Sequence, residues 1–349
     1  MTSALRTGTV LLLPVLAWAA CDMQRQRPAM GEANSIIVVT TDSLWAQVQE
    51  TALPALEPRV FTVRDEKAFT VEQVSPLDSV WLTFQQFRQI LLLGPASDPW
   101  IAEHLDDAVR AELPAVVERE DVWARNQRVT VIALPAANPV AALASVLPRV
   151  TDRMRETFIE YAQARMYVSG PDLELQDTLE AAGAFTMLFP QVYTWERVGD
   201  AFVFRNHSEL TGTVNRTFLV TSRAGVPDSL SVEQILAWRD TVAGSAYEPP
   251  QAAVRDRIES RRLEGWPGPA LEAQGVWSTE LTGGYPSAGP FISRAYVCPT
   301  QDRTYFVDAW LYAPSVAKPK FEYMIQLVTL LDTFRCGGSP RAAHPLAGA

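Results

Sequence analysis

Histidine is scarce in this chain. There are three in 349 residues, His104, His207 and His344, and none has a partner at metal-ligand spacing. Cysteine is as scarce, with Cys21, Cys298 and Cys336 only, and no CxxC pair. Also missing are HExxH, GxSxG, Walker and GxGxxG patterns, which removes the common hydrolase, redox and nucleotide sites. No metal and no cofactor is therefore expected. No clustered basic stripe interrupts a chain of net charge −10, which argues against nucleic acid and against attraction to anionic headgroups. No catalytic residue is assigned on this basis. A carboxylate pair leaves no sequence signature, so an enzyme built on one stays open.

What is present begins at the amino end. Arg6 precedes an apolar run, Val10 to Trp18, and the small pair Ala19-Ala20 precedes Cys21. A short basic start, about nine apolar residues and small residues at the cut make a secretory leader, residues 1–20, because a membrane span needs ~20. The Cys after the small pair resembles the lipobox of bacterial lipoproteins, with Trp18 where Leu is usual. That resemblance implies lipidation of Cys21 and a protein tethered to a membrane without crossing it. Residues 21–34 are polar, with Arg25, Arg27, Pro28 and Gly31, and read as a flexible tether.

Enough chain remains for two ordinary domains. From residue 35 to 170, strands alternate with helices. Strands are expected at Ser35–Thr41, Arg59–Val63, Ala68–Val74, Phe84–Leu93, Val116–Val122 and Gln127–Leu134. Helices are expected from Asp42 to Leu56, Pro99 to Ala111 and Asn138 to Tyr167. Ser169-Gly170-Pro171 marks a boundary. Residues 171–336 then read as a helix, a hairpin over Tyr193–Arg205, a strand, a helix, and a loop from Tyr247 to Arg262. Three long strands and a last helix from Lys318 to Phe334 follow. Strands joined through short turns imply an antiparallel sheet covered by helices. The class is α+β, two mixed modules, with residues 337–349 a disordered tail.

Several stretches together resemble a family of predicted bacterial lipoproteins known as domain of unknown function 4837. They are EREDVWARNQ (Glu118–Gln127), MYVSG (Met166–Gly170), GPFISR (Gly289–Arg294), DAWLYAP (Asp308–Ala313 and Pro314) and DTF (Asp332–Phe334). The resemblance extends over Gly31 to Phe334 and implies a lipid-anchored envelope protein without a stated activity. From Phe185 onward, the order of elements is also similar to PsbP/Mog1-like α/β/α sandwich modules, which mostly dock other proteins.

Three constellations stand out. Cys298 and Cys336 can bridge in an oxidising envelope, or remain two separate thiols. Trp123 and Arg125 could clamp a carboxylate or a sugar; the favoured alternative is a buried Trp, with Arg119 and Arg125 paired to Glu118, Glu120 and Asp121. Gly283 to Gly289 reads as a turn rather than an anion cradle. His104 is expected on a solvated helix face and His344 in the tail. The resulting expectation is a lipid-anchored protein of a Gram-negative-type envelope, on either membrane, with its body in the periplasm or at the surface. It would be a non-enzymatic binding or docking module for an envelope protein or polymer. An envelope hydrolase or carbohydrate-active enzyme with a carboxylate pair is the alternative, and a small-ligand receptor at the junction near Gly170 is a third.

Overall fold

The computed structural model describes residues 26–207, 214–283, 286–314 and 320–345. The leader and Cys21 lie outside the described residues, as does part of the Gly283–Gly289 turn.

In the first module the elements are β1 (Ser35–Val39), α1 (Asp42–Leu56), β2 (Arg59–Val60), β3 (Glu66–Lys67), β4 (Thr70–Val74) and α2 (Trp81–Phe84). They continue with β5 (Gln89–Pro95), α3 (Pro99–Ala102), α4 (Asp107–Ala111), β6 (Ala115–Glu120), β7 (Arg128–Leu134) and α5 (Pro139–Met166). The main sheet runs β4-β1-β5-β7-β6, parallel except for β6. Side chains alternate along a strand, so a sheet covered on both faces needs unbroken apolar runs. Ile36, Val38, Leu91 and Leu93 face α1 and α5, while Ile37, Val39, Ile90 and Leu92 face Ile101 and Leu105 on the other side. The chain reverses its winding between β1 and β5, where open α/β sheets usually bind ligands. Here Gln73 reaches across β1's end, its amide donating to Thr40 O at 3.0 Å, and Trp100 packs over Gly94.

The second module contributes α6 (Leu173–Gly183), β8 (Phe185–Thr186), β9 (Thr194–Val198), β10 (Ala201–Asn206), β11 (Asn215–Ala224) and α7 (Val232–Ala246). β12 (Ala252–Arg262), β13 (Ala270–Ser278), β14 (Ala288–Cys298), β15 (Arg303–Tyr312), α8 (Phe321–Leu331) and β16 (Arg335–Cys336) complete it. Its seven-stranded antiparallel sheet runs β12-β13-β14-β15-β11-β10-β9. One face packs on α6 and α8 and the other on α7, an α/β/α sandwich within the expected α+β class. Ser231 opens α7 with a capping box to Gln234.

The two modules share helices. α5 buries Leu143 through Ala162 in the first core and Met166 in the second. α8 does the reverse. Phe321 and Ile325 enter the first core, where Phe321 stacks on Phe158 at 5.4 Å, while Leu327 and Leu330 belong to the second. Ion pairs Lys320–Glu66, Arg257–Asp65 and Arg165–Glu322 cross the same junction.

Several expectations fail. The tether is not free over 27–34: Arg125 N donates to Arg27 O, Ala29 N to Arg125 O and Met30 N to Gln86 O, and Ala29, Ala33 and Asn34 are buried. Backbone pairing with the 121–128 turn, which local polarity does not reveal, holds this segment. Residues 99–111 form two short helices, since the Asp106 carboxylate caps a new one at Val109 N. The charged stretch read as a loop up to Arg262 holds β12, an edge strand whose exposed Arg and Glu guard a free edge. The strand expected from Phe84 starts at Gln89, because Trp81–Phe84 coils into a helical turn first. The tail is docked through its described part. Arg341 pairs with Asp177 and Glu180, and the His344 ring lies 4.6 Å from that of Tyr167.

Candidate binding groove

β12 and β14 end, and β13 begins, beside the carboxyl end of α8, and the segment 263–267 leans over them. Together they enclose a groove of about 840 Å³. Its wall is aromatic. The Trp266 and Tyr296 rings are 4.6 Å apart, and Tyr296 stacks on Phe334 at 4.6 Å and 10°. The Trp266 indole N–H donates to Val297 O at 2.9 Å, which fixes the ring.

Charge lies along the same groove. Arg294 is 2% exposed and donates from Nε to Glu272 at 2.7 Å. Its Nη1 donates to Asp332 at 2.6 Å and to the Tyr296 hydroxyl at 3.2 Å. Its Nη2 is buried with no hydrogen-bond partner among the described residues. Burial by itself would weaken the Arg294 cation, but Tyr296, Asp332 and Glu272 reverse that and hold it above its ordinary value. Burial likewise pushes the Glu272 carboxyl up, yet Arg261 and Arg294 overcome it, so Glu272 sits below its ordinary value. Asp332 is 61% exposed at the groove's rim, and the exposed Arg262 lies on the same lining as Arg335. The acids here are already matched by guanidinium groups, and guanidinium donors remain. Such a surface can hold an oxyanion by forked hydrogen bonds while an aromatic wall takes an apolar or planar neighbour.

Cys298 ends β14 and Cys336 lies in β16, and their sulfurs are bonded, with Cα atoms 6.0 Å apart. The bridge fixes the segment carrying Asp332, Phe334 and Arg335 against the sheet end.

The clamp weighed at Trp123 and Arg125 is not assembled. Trp123 is half-buried with its ring edge-on to Trp81 at 5.4 Å and to His104 at 6.0 Å. Arg125 is exposed and engages the chain through its backbone. The structural alternative is not met as drawn either: Trp123 is half-buried, Asp121 accepts from backbone N–H groups, and Arg128, not Arg119 or Arg125, pairs with Glu118 and Glu120, each at 3.0 Å. Nor does His104 lie on a solvated face. It is half-buried, and burial first, with Glu103 and Arg119 acting in opposite senses, lowers its pKa. Among the described residues no cluster of His, Cys, Asp and Glu could hold a metal, and no helix is long and apolar enough to cross a membrane.

A second cleft, about 640 Å³, lies at the module junction, lined by Glu32, Tyr161, Arg165 and Glu322 among others. Burial raises the Glu322 carboxyl; Arg165 and Arg216 draw it down and Glu32 pushes it up, leaving it above its ordinary value.

Arg294, Asp332 and Phe334 all belong to stretches singled out in the sequence, GPFISR and DTF, but spacing alone did not show that they meet. Glu272 and Trp266 carried no sequence signal.

Fold and groove define a two-module α+β protein with an arginine-lined groove in its second module. Residues 172–333 match the family model of the domain of unknown function DUF4837, and residues 29–168 match a different one, DUF8532. The likeness drawn over Gly31–Phe334 to a single family is thus corrected: it divides at the module boundary. No curated protein matches the chain. Among solved structures, a point mutant of the protein Mog1 aligns with 11% identity and TM-score 0.28, covering 44% of this chain and 92% of that one. The Saccharomyces cerevisiae Ran-binding protein Mog1p aligns with 11% identity and TM-score 0.29, covering 44% and 90%. A Bacteroides thetaiotaomicron structure aligns with 11% identity and TM-score 0.19, covering 44% and 45%.

Proposed function

We propose that this chain is a lipid-anchored cell-envelope protein, acylated at Cys21, that binds without chemical change an anionic group on another envelope protein or polymer. The observation that carries the reading is Arg294: a buried guanidinium with one nitrogen that has no partner among the described residues, lining the groove beside the Trp266–Tyr296–Phe334 wall. The leader and the Cys298–Cys336 bridge support an oxidising compartment outside the cytoplasm. Asp332 occupies Nη1 from an exposed position, so it acts as a stand-in for the ligand's oxyanion. The test is calorimetric titration of the chain with a short oligoglutamate and with inorganic phosphate. Asp332→Asn is expected to tighten binding and the Arg262→Ala, Arg335→Ala double variant to weaken it. Affinity unchanged in both variants, or no heat at all, sinks the groove as an anion site.

One observation favours a catalytic alternative. Glu322, held above its ordinary value by burial first with Glu32 adding to it, lines the junction cleft together with Glu32, as a general acid and a partner carboxylate would. Envelope glycan turnover that is abolished by Glu322→Gln and unaffected by Asp332→Asn would move the function there.

A further inference from the structure

The segment joining β4 to β5 exposes apolar side chains that no described residue covers. Leu77 is 85% exposed, Leu82 68% and Val80 43%, in a turn that leads into α2. The turn is rigidly built. Asp78 accepts a hydrogen bond from Val80 N at 3.0 Å, which directs its carboxylate to its own backbone. Trp81 packs edge-on to Trp123, and Gln127 donates to Gln85 O at 2.7 Å. An ordered turn with three leucine-sized or valine side chains in solvent needs an occupant.

The position of the amino end indicates which occupant. The chain meets the body at Gln26, whose amide donates to Asp121 O at 3.0 Å, and Arg27 O then accepts from Arg125 N at 2.9 Å. This is the loop that carries Trp123, on which Trp81 packs. Met30, 49% exposed, pairs with Gln86 two residues past α2. Five peptide steps separate Gln26 from Cys21, and five residues span at most about 18 Å. A body acylated at Cys21 therefore cannot turn this end far from the bilayer.

We infer that Leu77, Val80 and Leu82, with Met30, form a membrane-contact surface that seats the first module on the lipid interface and turns the groove of the second module to a fixed orientation. The inference rests on the acylation of Cys21 proposed above. The occupant is the headgroup–acyl boundary, which takes leucine and tryptophan side chains readily. Arg27 and Arg125, exposed on the two segments that pair where the chain enters the body, suit phosphate-bearing headgroups locally, although the chain as a whole is acidic.

The test places an environment-sensitive fluorophore on a Leu82→Cys chain and, as control, on a Leu281→Cys chain, Leu281 being exposed in the second module. Each is reconstituted in phosphatidylethanolamine–phosphatidylglycerol vesicles containing doxyl-labelled lipid. A blue shift with quenching at position 82, and neither at 281, is the expected result. A blue shift at 82 without quenching means protein, a partner or a second copy, covers the turn and overturns the inference; so does an unshifted, unquenched probe. Mass spectrometry of the purified chain reports acylation separately. If Cys21 is unmodified the anchor reading fails, and the surface is then tested in a Cys21→Ser chain held at the same point by a histidine tag on nickel-chelating lipid. Quenching at 82 there keeps the membrane surface, and its loss in the Leu77→Ser variant ties it to the named side chains. No quenching there rejects it.

Discussion

Arg239 on α7 and Asp308 on β15 form an ion pair inside the protein, Nε to Oδ1 at 3.1 Å, with side chains 0% and 1% exposed. Asp308 also accepts from the Tyr247 hydroxyl at 2.9 Å and from Ser293, while Arg239 lies 4.0 Å over the Phe291 ring. Charges this deep persist when paired and hydrogen-bonded; Arg239 Nη2 also donates to Gln251 at 3.1 Å, while its Nη1 has no partner among the described residues. Removing one partner strands the other, at a cost of about 3–5 kcal/mol. Asp308→Ala should lower the unfolding free energy from urea titration by that amount, with Arg239→Met close behind. The double variant should lose less than the two singles together. Additive losses would mean that the pair is not coupled.

The Cys298–Cys336 bridge closes a loop with a sequence separation of 38. Chain-entropy considerations put a loop of that size at about 4 kcal/mol of stabilisation. Denaturant unfolding with and without reductant measures it, and a Cys298→Ser, Cys336→Ser chain should show no further response to reductant. Because β16 carries Cys336 next to Arg335, reduction should also weaken oligoglutamate binding in the groove. A stability loss with intact binding would separate the bridge from the site.

How far the sequence revealed this architecture depends on the range of the forces involved. The parallel core strands were legible because both faces are buried, so Ile36 to Val39 and Ile90 to Leu93 read as unbroken apolar runs. The antiparallel pairing of consecutive strands was legible from turns and alternation, whereas the β11–β15 pairing that closes the sheet order was not. β12 was hidden because an edge strand carries charge on its free side, and Arg255, Glu259 and Arg261 read as loop. The docking of residues 27–34 was hidden because backbone hydrogen bonds hold it, and these leave no composition signal. The groove shows both limits at once. Ser293 and Arg294 are adjacent, yet in a strand they point to opposite faces: Ser293 reaches Asp308 under α7, and Arg294 reaches Glu272 and Asp332 in the groove. One stretch, GPFISR, serves two networks, and only the fold tells them apart.

The sharing of α8 between cores predicts how the modules unfold. Phe321 belongs to the second module by sequence but packs with Phe69 and Phe158 of the first, centroids 6.3 and 5.4 Å away. Phe321→Ala should cost about 3–5 kcal/mol, as other large core truncations do. It should also split a single thermal transition into two, since it breaks the packing that couples the modules. Calorimetry decides this. A single cooperative peak at lower temperature would show that the ion pairs Lys320–Glu66 and Arg257–Asp65 keep the modules together without it.

Two glutamates should give opposite pH slopes. Glu272 has a lowered folded-state pKa, so it is ionised in both states above the ordinary carboxylate value and contributes its full stabilisation there. As pH falls, the unfolded chain takes up the proton first, and the contribution is lost down through the lowered folded value. Glu322 has a raised pKa, so in the window above the ordinary value the folded state holds the proton more often. Its contribution is therefore greatest at low pH and declines as pH rises through that window. Urea midpoints measured against pH should show that Glu272→Gln flattens the acid limb of the wild-type curve. Glu322→Gln should instead remove a decline on the less acidic side. If Glu322→Gln lowered stability most near neutral pH, its pairs with Arg165 and Gln326 would outweigh the burial of its charge, and the junction cleft would hold an ionised carboxylate rather than a general acid.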